Sequence, residues 1–258
     1  MLLVCDLGNI QIDIGIYEER KLRTSFRISS ESKRTSDEYG IILLDLLKAN
    51  AIAKEEIDGA IIASTIPEVM HSFTNSLRKY LSIEPMVVGP GLKSGVAIRY
   101  ANPKEVGSDR IVTANGAISE YGRNLLIIDF STAITFDYID DKGDYRGGSI
   151  IPGVEIAAKA LSDRAAKLPD IEIKECDSVF ADDTIGAMQA GLYLGYLGLV
   201  ESMIERFRYE TSRDFKVIAT GGIGRIFAKN SDKIDIYDNE LAFKGLRNIY
   251  FKNKEKQS

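Results

Sequence analysis

Two turns place a carboxylate where an anion and its cation could be held together. Asp6-Leu7-Gly8-Asn9 follows the apolar run Leu2-Leu3-Val4-Cys5, and Asp129-Phe130-Ser131-Thr132 follows Leu125-Leu126-Ile127-Ile128. A glycine just past a strand lets backbone amides approach an anion, and a strand-end carboxylate can hold a cation or its water shell. Either turn alone reads first as an ordinary β-turn. As a matched pair they could grip a nucleoside triphosphate and its cation. The third candidate is Asn102-Pro103-Lys104-Glu105-Val106-Gly107-Ser108-Asp109-Arg110. Its Pro and Gly mark a loop, and the small residues after it mark a helix beginning near Ser108. Asp109 and Arg110 then stand at a helix N-terminus, which favours anions. There Asp109 could accept a hydroxyl proton, and Arg110 could bind a carboxylate or phosphate. From spacing alone, simple capping with a local Asp-Arg pair is the preferred reading. Thr184, after Asp182-Asp183, reads either as a helix cap or as a hydrogen-bond donor to substrate. Gly221-Gly222, between a strand and a helix, would let a ring or phosphate lie against backbone, or would serve any tight turn.

The rarer residues narrow the chemistry. There is one histidine, His71, and there are two cysteines, Cys5 and Cys176, in 258 residues. A zinc site of His and Cys needs more ligands, and any Ser-His-Asp or Cys-His mechanism would run through His71, which shows no partner pattern. The work falls to carboxylates, hydroxyls, backbone amides and bound cations. Two cysteines make no disulfide framework, so a reducing cytoplasm is expected. Thirty-eight acidic against 33 basic residues give a net charge of −5, a poor surface for nucleic acid or anionic lipid. The N-terminus lacks a signal peptide pattern, and no apolar run reaches the ~20 residues of a membrane span.

The elements that must position these residues alternate between strand and helix. Asp6 and Asp129 lie almost half a chain apart, and each turn is followed by an alternating strand, Gln11-Ile12-Asp13-Ile14-Gly15-Ile16 and Thr135-Phe136-Asp137-Tyr138-Ile139. This spacing favours duplication into two α/β lobes, 1–122 and 123–258, with a boundary near Arg123. Further strands are expected at 59–63, 85–88 and 216–219. Thr35-Ser36-Asp37-Glu38 has capping-box spacing before a helix expected to bury Ile41, Ile42, Leu44, Leu46 and Leu47. Gly191, Gly195 and Gly198 share one face of the helix that opens at Thr184. Such glycines cost about 1 kcal/mol each relative to alanine, so close approach of another helix, within the lobe or across a dimer, is expected. The polar residues Lys252 to Ser258 are expected to fray.

Taken together, the chain resembles the type III pantothenate kinases of the acetate and sugar kinase/Hsp70/actin superfamily. The resemblance runs nearly end to end. It is carried by Asp6-Leu7-Gly8-Asn9, Asp37-Glu38-Tyr39, Val88-Gly89-Pro90-Gly91, Gly107-Ser108-Asp109-Arg110, Asp129-Phe130, Thr132-Ala133, Gly147 to Gly153, Ala166-Lys167-Leu168-Pro169 and Thr220-Gly221-Gly222. It implies a duplicated actin-like ATPase (ribonuclease H-like) α/β fold, two lobes around a nucleotide cleft, as a cytoplasmic homodimer. It also implies transfer of the γ-phosphoryl of ATP to pantothenate, giving 4'-phosphopantothenate, the first step of coenzyme A synthesis. Carried over by position, Asp6, Leu7, Gly8, Asn9, Ile10, Gln11, Ile12 and Asp13 form the first phosphate hairpin, and Thr132 contacts ATP. Asp129 holds a monovalent cation, potassium or ammonium, and Mg2+ accompanies the triphosphate. Tyr100, Gly107, Ser108, Asp109, Arg110 and Thr184 bind pantothenate, with Asp109 as general base.

The chain departs from the family pattern in three places. Ile10 replaces a threonine in the first hairpin, Ser131 and Ile134 replace a glycine and a threonine in the second, and Asp13 adds like charge near the phosphates unless it helps hold magnesium. Weaker ATP binding than the family norm is expected from these. The alternative they leave is a weak or inactive relative acting as an accessory or regulatory protein.

Overall fold

Two apolar runs that each contain an aspartate near the end, Leu2–Leu7 (β1) and Leu125–Phe130 (β7), form inner strands of two separate sheets in the computed structural model, which describes residues 1–254. In the first sheet β1 pairs antiparallel with β2 (Gln11–Glu18), and β2 with β3 (Lys21–Ser29). On its other side β1 runs parallel to β4 (Gly59–Ser64), which runs parallel to β5 (Met86–Val87). A two-residue strand, β6 (Ala97–Ile98), lies farther along the chain. In the second sheet β7 pairs antiparallel with β8 (Ala133–Ile139), and β8 with β9 (Asp144–Pro152). There β7 also runs parallel to β10 (Lys216–Thr220), which runs parallel to β11 (Ile236–Tyr237). The order β3-β2-β1-β4-β5 recurs within the second sheet as β9-β8-β7-β10-β11. The repeat suggested by two Asp turns at half-chain spacing is therefore present in the strand order. β3 has no counterpart among the expectations above, although Leu22, Phe26 and Ile28 alternate with polar residues along it.

Helices connect the parallel strands. Thr35 caps α1 (Ser36–Ala49): its hydroxyl accepts from the Glu38 N–H, and the Glu38 carboxylate accepts from the Thr35 N–H at 2.7 Å. The capping box is as expected and contributes about 1 kcal/mol. The buried stripe differs from the expected one. Tyr39, Leu43 and Leu47 are buried at i, i+4 spacing, and Ile41 is 54% exposed. His71 sits on the exposed side of α2 (Pro67–Ser76), where its Nε2 meets Asn75 Nδ2 at 3.0 Å.

The chain divides into two units, Met1–Tyr121 with the segment from Glu240 on, and Gly122–Asn239. The division after Tyr121 lies beside the expected boundary. The C-terminal segment instead belongs with the first unit, because α7 (Leu241–Lys254) buries Leu246, Ile249 and Tyr250 with Leu2, Val4 and Ile61 of β1 and β4. It also packs along α3 (Ser108–Tyr121) at two glycines. A Cβ on Gly116 would overlap the Leu241 carbonyl, and one on Gly245 would overlap the Val112 carbonyl. Of the polar tail, Lys252 to Lys254 continue α7, and 255–258 lie outside the described residues.

The remaining helices are α4 (Val154–Arg164), α5 (Thr184–Thr211) and α6 (Gly224–Lys229). Along α5, of the two contacts expected, close packing within the chain does not occur among the described residues. A Cβ on Gly191, Gly195 or Gly198 would meet no described atom within 4 Å. No described helix is long and apolar enough to cross a membrane.

Candidate active site

In the first unit the chemistry collects at the C-terminal ends of β1 and β4. The turn from Gly8 to Gln11 is closed by the Gly8 N–H donating to the Gln11 carbonyl at 2.9 Å. Asp6 precedes this turn and is half-buried on the sheet face that also carries Leu2 and Val4. Directly across the ladder from Asp6 is Asp13, and across from Asp13 is Arg27 on β3. The Arg27 Nε donates to Asp13 Oδ1 at 2.6 Å. Ile10 stands at the tip of the turn, 60% exposed, where the family pattern has a hydroxyl. Cys5, the neighbour of Asp6, is fully buried on the opposite face. Burial first, and the Asp6 charge second, push its thiol well above the usual range, so it offers no nucleophile.

The loop ending in Gly107 delivers α3 to the same edge. The Ser108 hydroxyl donates to the Ser64 carbonyl at 3.0 Å, and Ser64 pairs with Leu7 across the β4–β1 ladder. Asp109 and Arg110 are therefore in the first turn of a helix pinned beside the first hairpin. The Asp109 carboxylate folds back over Gly107, into space a Cβ there would fill, and its Oδ1 is shielded from solvent. Tyr100 lies half-buried in the loop that leads through Asn102 to this turn. Asp6, Asp13 and Gly107 to Arg110 thus converge within one unit.

In the second unit Asp129 pairs across β7 with Thr135 on one side and Thr220 on the other. Gly221 follows Thr220 with φ +87°, and a Cβ on it would overlap the Phe130 carbonyl and come within 2.7 Å of Asp129 Oδ1. Only glycine fits this turn without strain. Tyr237 of β11 clamps it by donating to the Gly221 carbonyl at 3.0 Å. Thr132 occupies the β7–β8 turn, and its carbonyl accepts from Gly153 N–H at 3.0 Å, just before α4. Ser131 turns its hydroxyl onto the Ala133 carbonyl at 3.0 Å. Thr184 opens α5, but the cap is Asp183, whose carboxylate accepts from Gly186 N–H at 2.9 Å. The Thr184 side chain is exposed.

Oxygen donors suit hard cations such as Mg2+ and potassium. Among the described residues no three or more His, Cys, Asp and Glu side chains form a metal cluster. Mg2+ held by one or two carboxylates together with substrate phosphates needs none, and Asp6 stands just before the first turn, its cross-strand neighbour Asp13 being paired with Arg27. Asp129 offers a hard carboxylate oxygen at the end of β7, packed close against Gly221 and the Phe130 carbonyl, the donor type a hard monovalent cation takes.

Two features of these sites were not anticipated from sequence. Arg27 is one, and its signal was the alternation along β3. The other is a buried polar trio below the second hairpin. Asp137, 2% exposed, accepts from Thr135 Oγ1 at 2.9 Å and from Tyr145 OH at 2.5 Å. In sequence Asp137 looks like an exposed polar position on an alternating strand.

A sequence profile described as type III pantothenate kinase matches residues 2–206. The chain is similar to curated proteins described as type III pantothenate kinase. That of Agathobacter rectalis is 44% identical over 257 residues, covering 99% of both chains. That of Bifidobacterium longum subsp. infantis is 45% identical over 253 residues, 98% of this chain and 99% of the relative. Among solved structures, one described as a Baf family transcriptional activator from Campylobacter jejuni superposes with a TM-score of 0.62 at 20% identity, covering 98% and 99% of the two chains. A 2-dehydro-3-deoxygalactonokinase structure from Sinorhizobium meliloti superposes at 0.60 with 12% identity, covering 97% and 96%. At those identities the structural likenesses speak for the fold.

Proposed function

This chain belongs to the type III pantothenate kinase family, and from that membership we propose that Asp109 accepts the hydroxyl proton of pantothenate as the γ-phosphoryl of ATP is transferred to it. The chain phosphorylates pantothenate with ATP at the entry to coenzyme A synthesis. One observation carries the assignment of roles. Ser108 ties the Asp109 turn to the end of β4, beside the strand that carries Asp6 and the first hairpin. A proton acceptor and a phosphate-binding turn on one sheet edge are the two parts phosphoryl transfer needs close together.

A loose transition state needs positioning and charge neutralisation more than a strong base. An aspartate is ionised at neutral pH and can take the proton as the new P–O bond forms. Tyr100, Gly107, Ser108, Arg110 and Thr184 bind pantothenate, with the Arg110 guanidinium suited to its carboxylate. Residues 6–13 and Thr132 contact ATP. Asp6 would hold Mg2+, and Asp129 a monovalent cation; both ions would supply positive charge against the triphosphate in an acidic protein. Ile10 and Ser131 weaken nucleotide binding without removing a charged group, and neither feature favours the accessory alternative. The free thiols Cys5 and Cys176 suit a cytoplasmic enzyme, and the net charge of −5 suits one without a nucleic-acid or membrane partner. The open glycine face of α5 suits a contact between two copies in a homodimer, and a solution mass of one monomer would contradict that.

Purified protein with ATP, Mg2+, potassium and pantothenate is expected to yield 4'-phosphopantothenate and ADP in equal amounts, read by mass spectrometry. Replacing potassium by sodium should slow the reaction severalfold, and Asp129→Asn should remove the difference. Equal rates in both salts with the wild-type chain would rule out the cation role of Asp129.

A further inference from the structure

The first hairpin carries a row of three charged side chains, and one of them has no assigned role. Asp6, Asp13 and Arg27 are successive cross-strand neighbours on β1, β2 and β3. Residues directly opposite across a ladder project from the same face, about 5 Å apart at Cβ. One row nearer the core is Val4, Gly15 and Ser25, where Phe243 of α7 lies against Gly15. The charged row is thus the first to emerge beyond α7, and one row farther on lies the pair Gln11 and Ser29 beside the turn. Asp13 is 28% exposed at its side chain and Arg27 55%. Their contact at 2.6 Å is the polar interaction that either side chain makes among the described residues.

We propose that Arg27 is a positioning residue for the polyphosphate of ATP, holding the Asp13 carboxylate and cancelling its charge so that the hairpin tolerates a triphosphate. This rests on the assignment of residues 6–13 to the phosphates. Without Arg27 two adjacent carboxylates face a ligand of about four negative charges, and like charges at such separations repel. With it, the row has a net charge of −1, and Asp6 is the carboxylate kept for the cation. The geometry also accounts for how an aspartate can occupy position 13 of a phosphate-binding hairpin. Arg27 acts through Asp13 and does not itself touch the nucleotide.

Calorimetric binding of a non-hydrolysable ATP analogue with Mg2+, and of adenosine, tests this without turnover. Arg27→Gln should weaken the analogue about tenfold, the effect of one uncompensated charge near 1.4 kcal/mol, and leave adenosine unchanged. Arg27→Lys, which keeps the charge, should stay within about threefold of the wild type. Asp13→Asn combined with Arg27→Gln should bind the analogue more tightly than Arg27→Gln alone, because the charge needing compensation is gone. Thermal midpoints of all variants should agree within a few degrees. Unchanged analogue binding in Arg27→Gln would overturn the proposal. So would a double variant as weak as Arg27→Gln, the result expected if the guanidinium touched phosphate directly. A wild-type chain that binds adenosine but no triphosphate analogue would overturn the assignment of the hairpin along with it, whereas a binding wild type with an unaffected Arg27→Gln defeats this proposal alone.

Discussion

Asp109→Asn is expected to lower the rate of phosphopantothenate formation by about 10²–10⁴-fold while ATP and pantothenate still bind within a few-fold of wild type. Asparagine has the shape of aspartate and can occupy the same place in the first turn of α3, over Gly107. It cannot accept a proton. The loss should therefore fall on kcat, with KM values little changed, the pattern of an interaction made in the transition state. A modest stability loss of about 0.3–1 kcal/mol accompanies it, because a negative charge at a helix N-terminus is favourable. Ser108→Ala, which cuts the tie to the Ser64 carbonyl, should act differently, loosening α3 against β4 and raising KM for pantothenate. Asp109→Asn retaining more than a tenth of the wild-type kcat would move the proton acceptor off α3.

Gly116→Val is expected to cost about 2–4 kcal/mol in unfolding free energy, measured by urea denaturation, with a comparable cost for Gly245→Val. Each new side chain would drive into a carbonyl of the facing helix, and backbone cannot step aside as a flexible side chain can. The consequence reaches the site, since α3 presents Asp109 at one end and is locked to α7 along its middle. The contrast is Gly195→Val on α5, whose position has open space within the chain. It should leave the unfolding of the isolated subunit nearly unchanged, while light scattering shows any dimer falling to the mass of one monomer. An unfolding midpoint for Gly116→Val equal to that of wild type would show that the two helices do not depend on this close approach.

What could be read from sequence was local. Apolar runs ending in Asp, a Gly-Pro-marked loop before a small-residue helix and a capping box are decided by neighbours a few residues apart, and β1, β7, α1 and the α3 N-terminus appear where expected. Features that depend on pairing distant segments were not legible. Arg27 meets Asp13 only because the β2–β3 ladder takes its register through an irregularity at Ile16 and Tyr17. Helix α7 returns to the first unit, although nothing in its own periodicity names β1 and α3 as its partners. The glycine pattern was only partly legible for a related reason, since it left open contact within the lobe or across a dimer. Spacing along one helix suggested contact at Gly191, Gly195 and Gly198, whereas the close approach within the chain joins Gly116 and Gly245 from separate segments. Asp137 shows the limit of alternation, because a polar residue on a period-two strand can be buried when Thr135 and Tyr145 satisfy it.

In the proposed mechanism the Asp109 turn and the first hairpin, at the C-terminal ends of β4 and β1, deliver the γ-phosphoryl of ATP to the pantothenate hydroxyl. The direct measurement follows label from [γ-32P]ATP with wild-type chain and with Asp109→Asn, each saturated with pantothenate. Label moving to pantothenate with the wild type, and staying in ATP with Asp109→Asn, is the result predicted. Label released by the wild type as inorganic phosphate, or label reaching pantothenate equally fast with both proteins, would contradict it.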